Sequence, residues 1–134
     1  MTRKLTKQDE FPSHLGAFKP VGHVVVTLDD DAAAQALAKE LRAASPAEDD
    51  VLVFSGSEMA GRLRPLIDDA SGAAGFGSEI QAMRAYLKLA EEGAGWVIVH
   101  APDDAARQRV ADLAKQHRAL QARMYHRLTV EELV

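Results

Sequence analysis

The chain alternates short β-branched runs with longer stretches of helical spacing, and it does so twice. Residues 23–28 and 96–100 are rich in valine, and each run precedes an aspartate cluster and an alanine-rich stretch with apolar residues every three to four positions. A change of period from two to about 3.6 indicates a strand followed by a helix. Further strands are predicted at 51–54 and 120–127, so that each half forms a β-α-β unit. The valine-rich runs lie about 73 residues apart, which predicts a pseudo-symmetric domain.

Two such units predict an α+β fold of the ferredoxin-like, split-βαβ class. We expect a four-stranded antiparallel sheet of strand order 4-1-3-2 with two helices on one face. The long connection between strands 2 and 3 carries two apolar stripes, which predict a two-helix insertion at about 57–93. Residues 1–20 mix charges, prolines and a glycine without a period, so we expect a flexible tail. Residues 21–134 then form the single domain.

Three polar motifs predict helix starts. The aspartates at 29–31 could bind a divalent cation, but they precede a helical stretch, where a side-chain cap and negative charge are favourable. Capping is therefore the better interpretation. Ser55 with Glu58 and Thr129 with Glu132 both have the spacing of a capping box, which predicts a helix after residue 55 and a final turn near residue 130.

The predicted sheet has a second face that needs cover. If Val97 and Val99 face the two helices, Trp96 and Ile98 point the other way, together with Val25. Such an apolar patch is too large to leave in water, since burying each side chain is worth about 1.5–3 kcal/mol. Either the inserted helices or a second copy must cover it. We expect a homodimer through this open sheet face, with the inserted helices helping to form the interface.

Composition excludes several kinds of chemistry. The 134 residues are 47% hydrophobic and 27% charged, which suits one globular domain. The chain has no cysteine, so disulfides, thiolate metal sites and cysteine nucleophiles are excluded. No stretch has the pattern of a signal peptide or approaches the length of a membrane span. We therefore expect a cytoplasmic protein with no membrane partner.

Charge is unevenly distributed along the chain. Residues 21–74 hold ten acidic and four basic residues, whereas residues 105–130 hold six basic residues and one acidic residue. The basic half could bind nucleic acid, or the two halves could attract each other. We favour attraction and expect no nucleic-acid partner, because the basic residues lack interleaved aromatics and the net charge is −4. The arginines that a nucleic-acid hypothesis would use are Arg107, Arg109, Arg118 and Arg123.

The antiparallel arrangement predicts a polar cluster at one end of the sheet. It brings His23 beside His100, with Tyr125 or His126 at the same rim. Two imidazoles and a phenol could bind a transition metal, polarise a substrate or recognise an anion. They could equally form a hydrogen-bonded polar rim. The candidate ligand-binding residues are His23, His100, Tyr125 and Trp96, and we expect neither a resident metal nor a cofactor.

Four stretches carry a resemblance to a known group of proteins. Residues 18–26, 77–81, 101–104 and 125–128 resemble a family of small uncharacterised bacterial proteins, and the resemblance spans residues 18–133. More remotely, each β-α-β half is similar to general-stress-protein domains that begin with a valine-rich strand and an alanine-rich helix. The resemblance implies a bacterial protein with a ferredoxin-like fold, and it brings no catalytic residue.

Two function hypotheses from different classes follow. We expect a non-enzymatic homodimer that binds a small ligand or a protein partner, with the stress-related role that the remote resemblance implies. The alternative is a small dimeric α+β-barrel-type enzyme, or a haem- or metal-binding protein, that uses His23 and His100. Since no catalytic constellation stands out, the pattern alone does not decide whether the protein is an enzyme.

Overall fold

The computed structural model describes residues 13–14, 17–18, 20–44, 51–70, 78–127 and 129–134. In this part of the chain the elements are β1 (Ser13–His14), β2 (Ala17–Phe18), β3 (His23–Leu28), α1 (Asp31–Ala44), β4 (Val51–Phe54), α2 (Gly56–Ala70), α3 (Ser78–Glu91), β5 (Gly95–His100), α4 (Asp104–Gln116), β6 (Gln121–Tyr125) and β7 (Val130–Glu132). The predicted tail 1–20 therefore includes two short strands, which pair antiparallel. The rest of the tail, apart from Pro20, lies outside the described residues.

The main sheet is antiparallel and has five strands in the order β4-β5-β3-β6-β7. The prediction of four strands was short by one, because a final turn was expected where β7 forms. The backbone N–H of Leu133 donates to the carbonyl of Ala122 at 2.8 Å, and the Glu132 carboxylate accepts from Arg123 at 2.7 Å. These bonds join the segment to β6, so its polar groups are satisfied by a neighbouring strand rather than by a helical turn.

One face of the sheet packs on α1 and α4. Val24, Val26 and Leu28 point to this side from β3, where they meet the apolar stripe of α1. The stripe follows from the spacing of Ala34, Leu37, Ala38 and Leu41, all of which are buried. Because side chains alternate along a strand, His23, Val25 and Thr27 point to the other face.

The other face packs on α2 and α3 of the same chain. Val25, Trp96 and Ile98 are fully buried there, in contact with apolar residues of the two helices, among them Met59, Leu63, Ile80, Met83 and Tyr86. The expectation of an open sheet face was therefore wrong, and a homodimer through that face loses its basis. Val25, Trp96 and Ile98, which were expected to need a second copy, are covered within one copy.

Side-chain caps determine where the helices begin. The Asp30 carboxylate accepts from the backbone N–H of Ala33 at 2.8 Å, which confirms the capping interpretation for the aspartate triplet. Ser55 and Glu58 form the predicted capping box, with bonds of 3.0 and 3.1 Å. Asp31 also accepts from the backbone N–H of Gly56 at 3.3 Å, so the start of α1 is tied to the start of α2. No helix in the described ranges is both long and apolar enough to span a membrane.

Candidate functional site

The register of β3 and β5 brings the two predicted histidines together. His23 pairs directly with His100, and their ring centroids are 5.1 Å apart. His23 is 2% exposed, and its Nδ1 lies 3.0 Å from the carbonyl oxygen of Val21. Because a carbonyl oxygen only accepts, Nδ1 carries a proton and the ring is held in one orientation. The predicted proximity of the two imidazoles is confirmed.

Tyr125 lies at the same end of the sheet, but Trp96 does not. The carbonyl of Tyr125 accepts from the N–H of Gly22, next to His23, at 2.9 Å. Trp96 and His100 are four residues apart on β5, which places them about 13 Å apart at the usual rise of a strand. The four candidate residues share one face of the sheet without forming one cluster. Three are at one rim, and Trp96 is near the opposite end.

Next to the two histidines, under α3, lies a buried pair of phenols, those of Tyr125 and Tyr86. The hydroxyl of Tyr125 lies 3.2 Å from that of Tyr86 on α3, and both side chains are buried. Burial is the main cause that raises the pKa of each phenol above its ordinary value. For Tyr86, the hydrogen bond to Tyr125 and the charge of Arg123 offset part of this rise, whereas for Tyr125 the neighbouring Tyr86 raises the pKa further. Both tyrosines are therefore neutral near pH 7 and act as hydrogen-bonding groups rather than as general bases.

The Tyr86 ring lies between the two ends of this face. Its centroid is 6.0 Å from that of Trp96, in an edge-to-face arrangement, and 5.6 Å from the guanidinium carbon of Arg123. Arg123 also donates from Nε to the Glu132 carboxylate at 2.7 Å. The arginine side chain is 21% exposed and the glutamate 57% exposed. A partly buried cation thus lies beside Tyr86, with its charge balanced from the edge strand.

Three neighbouring buried polar atoms lack a hydrogen-bond partner within the described part of the chain. They are Oε1 of Gln121, Oγ1 of Thr27 and Nε1 of Trp96. Thr27 pairs with Gln121 on one side and with Trp96 on the other, so the three side chains form one row across the sheet. Side chains at directly paired positions are about 4.5–5.5 Å apart at Cβ. We call this set the polar row.

The polar row and the groups beside it form the candidate site. Gln121, Arg123 and Tyr125 occupy alternate positions of β6 on the face toward α3. Their alternation was visible in the sequence, but Gln121, Thr27 and Tyr86 were not proposed as site residues, and Arg123 was considered only for nucleic acid. The available signal was polarity on a sheet face where Val25, Phe54 and Ile98 supply apolar side chains.

The basic residues considered for nucleic acid do not form one surface. Arg107 is bonded to the carbonyl of Ala101 and to Asp104, both at 3.2 Å, at the start of α4. Arg109 lines an open groove of about 500 Å³ between α1 and α4. Arg123 lies on the opposite face of the sheet, beside Tyr86.

Histidine and acidic residues do not form a metal cluster in the ranges that the structure describes. There, no group of three or more His, Cys, Asp or Glu side chains is placed to hold an ion. His23 and His100 thus have no third ligand of these types beside them in that part of the chain. Comparison of the sequence and structure with protein-family models, curated proteins and solved structures finds no match.

Proposed function

We propose that this protein is a non-enzymatic binder of a small polar ligand, which hydrogen-bonds to the polar row on the sheet face that α2 and α3 cover. The observation that carries the proposal is the row of three adjacent buried polar atoms without partners. A buried donor or acceptor that stays unpaired costs about 1–3 kcal/mol. Three in one row are best explained if a bound molecule supplies the missing hydrogen bonds.

The chemistry of the row matches a ligand with both donors and acceptors. The indole N–H of Trp96 only donates, whereas the hydroxyl of Thr27 donates and accepts. The unpartnered Oε1 of Gln121 only accepts. Apolar neighbours surround the row, since Phe54 and Val25 belong to the same face of the sheet. A few polar groups in an apolar wall are typical of a small-molecule site.

Binding fits this arrangement better than catalysis. The raised pKa values of Tyr86 and Tyr125 keep both hydroxyls protonated near neutral pH, so they orient a ligand without abstracting a proton. The His23 ring is fixed by the carbonyl of Val21 at the far rim. We infer that the phenol pair and the rim limit the length of the site at that end.

We also propose that the domain belongs to the ferredoxin-like class. Support comes from the antiparallel order of β6, β3, β5 and β4 and from α1 and α4 on one face. In this proposal, α2 and α3 are the insertion that covers the second face, and β7 is an added edge strand. The inserted helices α2 and α3 then cover the ligand site.

The test uses the single tryptophan of the chain. Its one indole N–H signal in a ¹H–¹⁵N spectrum reports directly on the polar row. We expect neutral fragments that carry an amide or hydroxyl to shift this signal. Thr27→Val should weaken the binding of the same fragments, while Thr129→Val, at an exposed threonine, should not.

Two results would contradict the proposal. If fragments bind the protein but leave the indole signal unchanged, the polar row is not their binding site. An experimental structure with ordered waters bonded to all three atoms of the row, and no space for a larger molecule, would do the same.

A further inference from the structure

We propose that the ligand is a small organic carboxylate, and that Glu132 of β7 occupies its position on Arg123 when the site is empty. This inference rests on the proposed function, because it names the chemical class bound at the same site. It makes Arg123 the group that selects for charge, and Glu132 an internal competitor.

The chain itself shows that Arg123 accepts a carboxylate. Arg123 Nε and Glu132 Oε1 are 2.7 Å apart, a distance typical of a charge-assisted hydrogen bond. The pair is unequal, because the arginine is mostly covered and the glutamate is mostly exposed. Arginine has five N–H donors arranged to bind planar carboxylates. A carboxylate from solution can therefore replace that of Glu132 without leaving a buried charge unpaired.

The position of β7 allows this exchange. The strand has three residues, all exposed, and it pairs with β6 alone at the edge of the sheet. Glu132 can turn its side chain outward into water while the backbone ladder to β6 stays intact. An exposed ion pair contributes little to stability, so the free energy lost in this movement is small.

Two of the three unpartnered atoms of the polar row, those of Trp96 and Thr27, can donate to an anion, whereas Oε1 of Gln121 only accepts. The indole N–H of Trp96 and the hydroxyl of Thr27 are both donors without partners in the described ranges. Carboxylate oxygens accept up to about four hydrogen bonds. Hydrogen bonds to an ionised acceptor are about twice as strong as neutral ones.

Arg123 and Trp96 also lie on the same aromatic ring. The guanidinium carbon of Arg123 is 5.6 Å from the centroid of Tyr86, and the Trp96 ring is 6.0 Å from it. Arg123 and Trp96 thus both lie beside the ring of Tyr86. A small aromatic or aliphatic acid can place its carboxylate on Arg123 and its apolar part against Tyr86.

Matched acids and amides test the charge selection. Benzoate with benzamide, and acetate with acetamide, differ mainly in charge. Each is titrated into the full chain while the indole N–H signal of Trp96 is followed. We expect benzoate or acetate to bind more tightly than its amide. In Arg123→Gln this preference should disappear, with circular dichroism confirming that the variant is folded.

The glutamate variants test the internal competitor. Glu132→Gln should tighten binding of the acid about two- to fivefold, the range expected when an exposed ion pair no longer competes. The affinity of the amide should stay unchanged. Glu131→Gln is the matched control, because Glu131 lies on the same strand but pairs with His126 at 3.0 Å. It should leave the affinity of the acid as in the parent chain.

The possible outcomes separate this inference from the proposed function. Equal binding of acid and amide, or an unchanged acid affinity in Glu132→Gln, overturns the carboxylate inference while the ligand site stands. A lack of response to both acids, when neutral fragments shift the indole signal, overturns it in the same way. If no fragment of any charge shifts that signal, the proposed function itself fails.

Discussion

Among single residues, Thr27 departs most clearly from what a stable core requires. It follows three valines on β3, is fully buried, and its hydroxyl has no hydrogen-bond partner in the described part of the chain. Valine has the same shape and would bury no polar atom, so stability alone favours valine at this position. A residue that lowers stability in this way is expected where a ligand is bound.

Replacing Thr27 by valine should therefore stabilise the ligand-free protein. We expect the free energy of unfolding to rise by about 1 kcal/mol, because an unpaired hydroxyl leaves the core. Urea unfolding measures this change through the denaturation midpoint. Thr129→Val, at an exposed site, should change stability by less than about 0.5 kcal/mol. Clear destabilisation by Thr27→Val would show that the hydroxyl is bonded, contrary to our account.

The two tyrosines allow a second test, because they are the only two in the chain. Burial raises the pKa of both Tyr86 and Tyr125 in the folded state, while the unfolded value is about 10. The phenols thus contribute stability that is fully present below pH of about 10 and is lost as pH rises above it, since only the unfolded chain ionises readily.

We expect the phenolate absorbance near 295 nm to appear only together with alkaline unfolding. Parallel absorbance and circular dichroism titrations measure both events, and the two curves should coincide. In Tyr86→Phe/Tyr125→Phe, unfolding should lose this pH dependence. Phenolate absorbance in a chain that is still folded would contradict the burial of the pair.

Sequence reasoning reached part of this site and missed the rest for identifiable reasons. The meeting of His23 and His100 follows from strand direction alone, so it was predictable. Trp96 was grouped with them because it shares their sheet face, but position along a strand separates residues that alternation places together. Tyr86 could not be predicted as a site residue, because its contact with Tyr125 depends on how α3 crosses the sheet. No local sequence pattern specifies that crossing.

Among the elements, close approaches of helix and strand depend on glycine. A Cβ built on Gly95 would lie 2.7 Å from the carbonyl oxygen of Asp30 and 2.9 Å from the Cβ of Ala34. The start of β5 therefore packs directly on the first turn of α1. By contrast, a Cβ on Gly61 in α2 would meet nothing within 4 Å.

These two glycines give a matched pair of substitutions. Gly95→Ala should destabilise the protein by about 1–3 kcal/mol, because the backbone of α1 has to move away. Gly61→Ala should stabilise it by about 0.5–1 kcal/mol, because alanine is the better helix former. Thermal or urea unfolding of both variants measures the difference. Equal effects would contradict the close contact between β5 and α1.

The two capping-box motifs show how far local signals carry. Ser55 and Glu58 form the expected box at the start of α2. Thr129 and Glu132 have the same spacing, yet residues 130–132 form β7 and Glu132 bonds to Arg123. The motif predicts a helix only when helical residues follow it. Here β6 offers a free edge, and residues 130–132 pair with it as a strand.

For the whole molecule, the largest difference from expectation is what covers the second sheet face. Alternation correctly placed Trp96 and Ile98 on the face opposite Val97 and Val99. It also identified apolar stripes on both inserted helices, but a stripe does not specify which surface it will cover. The connection from β4 to β5 is long enough to return over its own sheet, and α2 and α3 do so. The same pattern would have suited a shared interface in a dimer.

This difference leads to a test of the isolated chain. Trp96 is fully buried by residues of its own copy, so its surroundings should not depend on association. We expect its fluorescence maximum to stay constant on dilution from about 100 µM to about 0.1 µM, a range that spans micromolar dimers. A red shift on dilution would mean that a second copy helps to cover the indole. Light scattering at the same concentrations separates the cases, because a dimer that dissociates without a spectral change must use another surface. Constant emission would mean that one chain forms the ligand site alone, since the sheet and the helices α2 and α3 that cover it belong to the same copy.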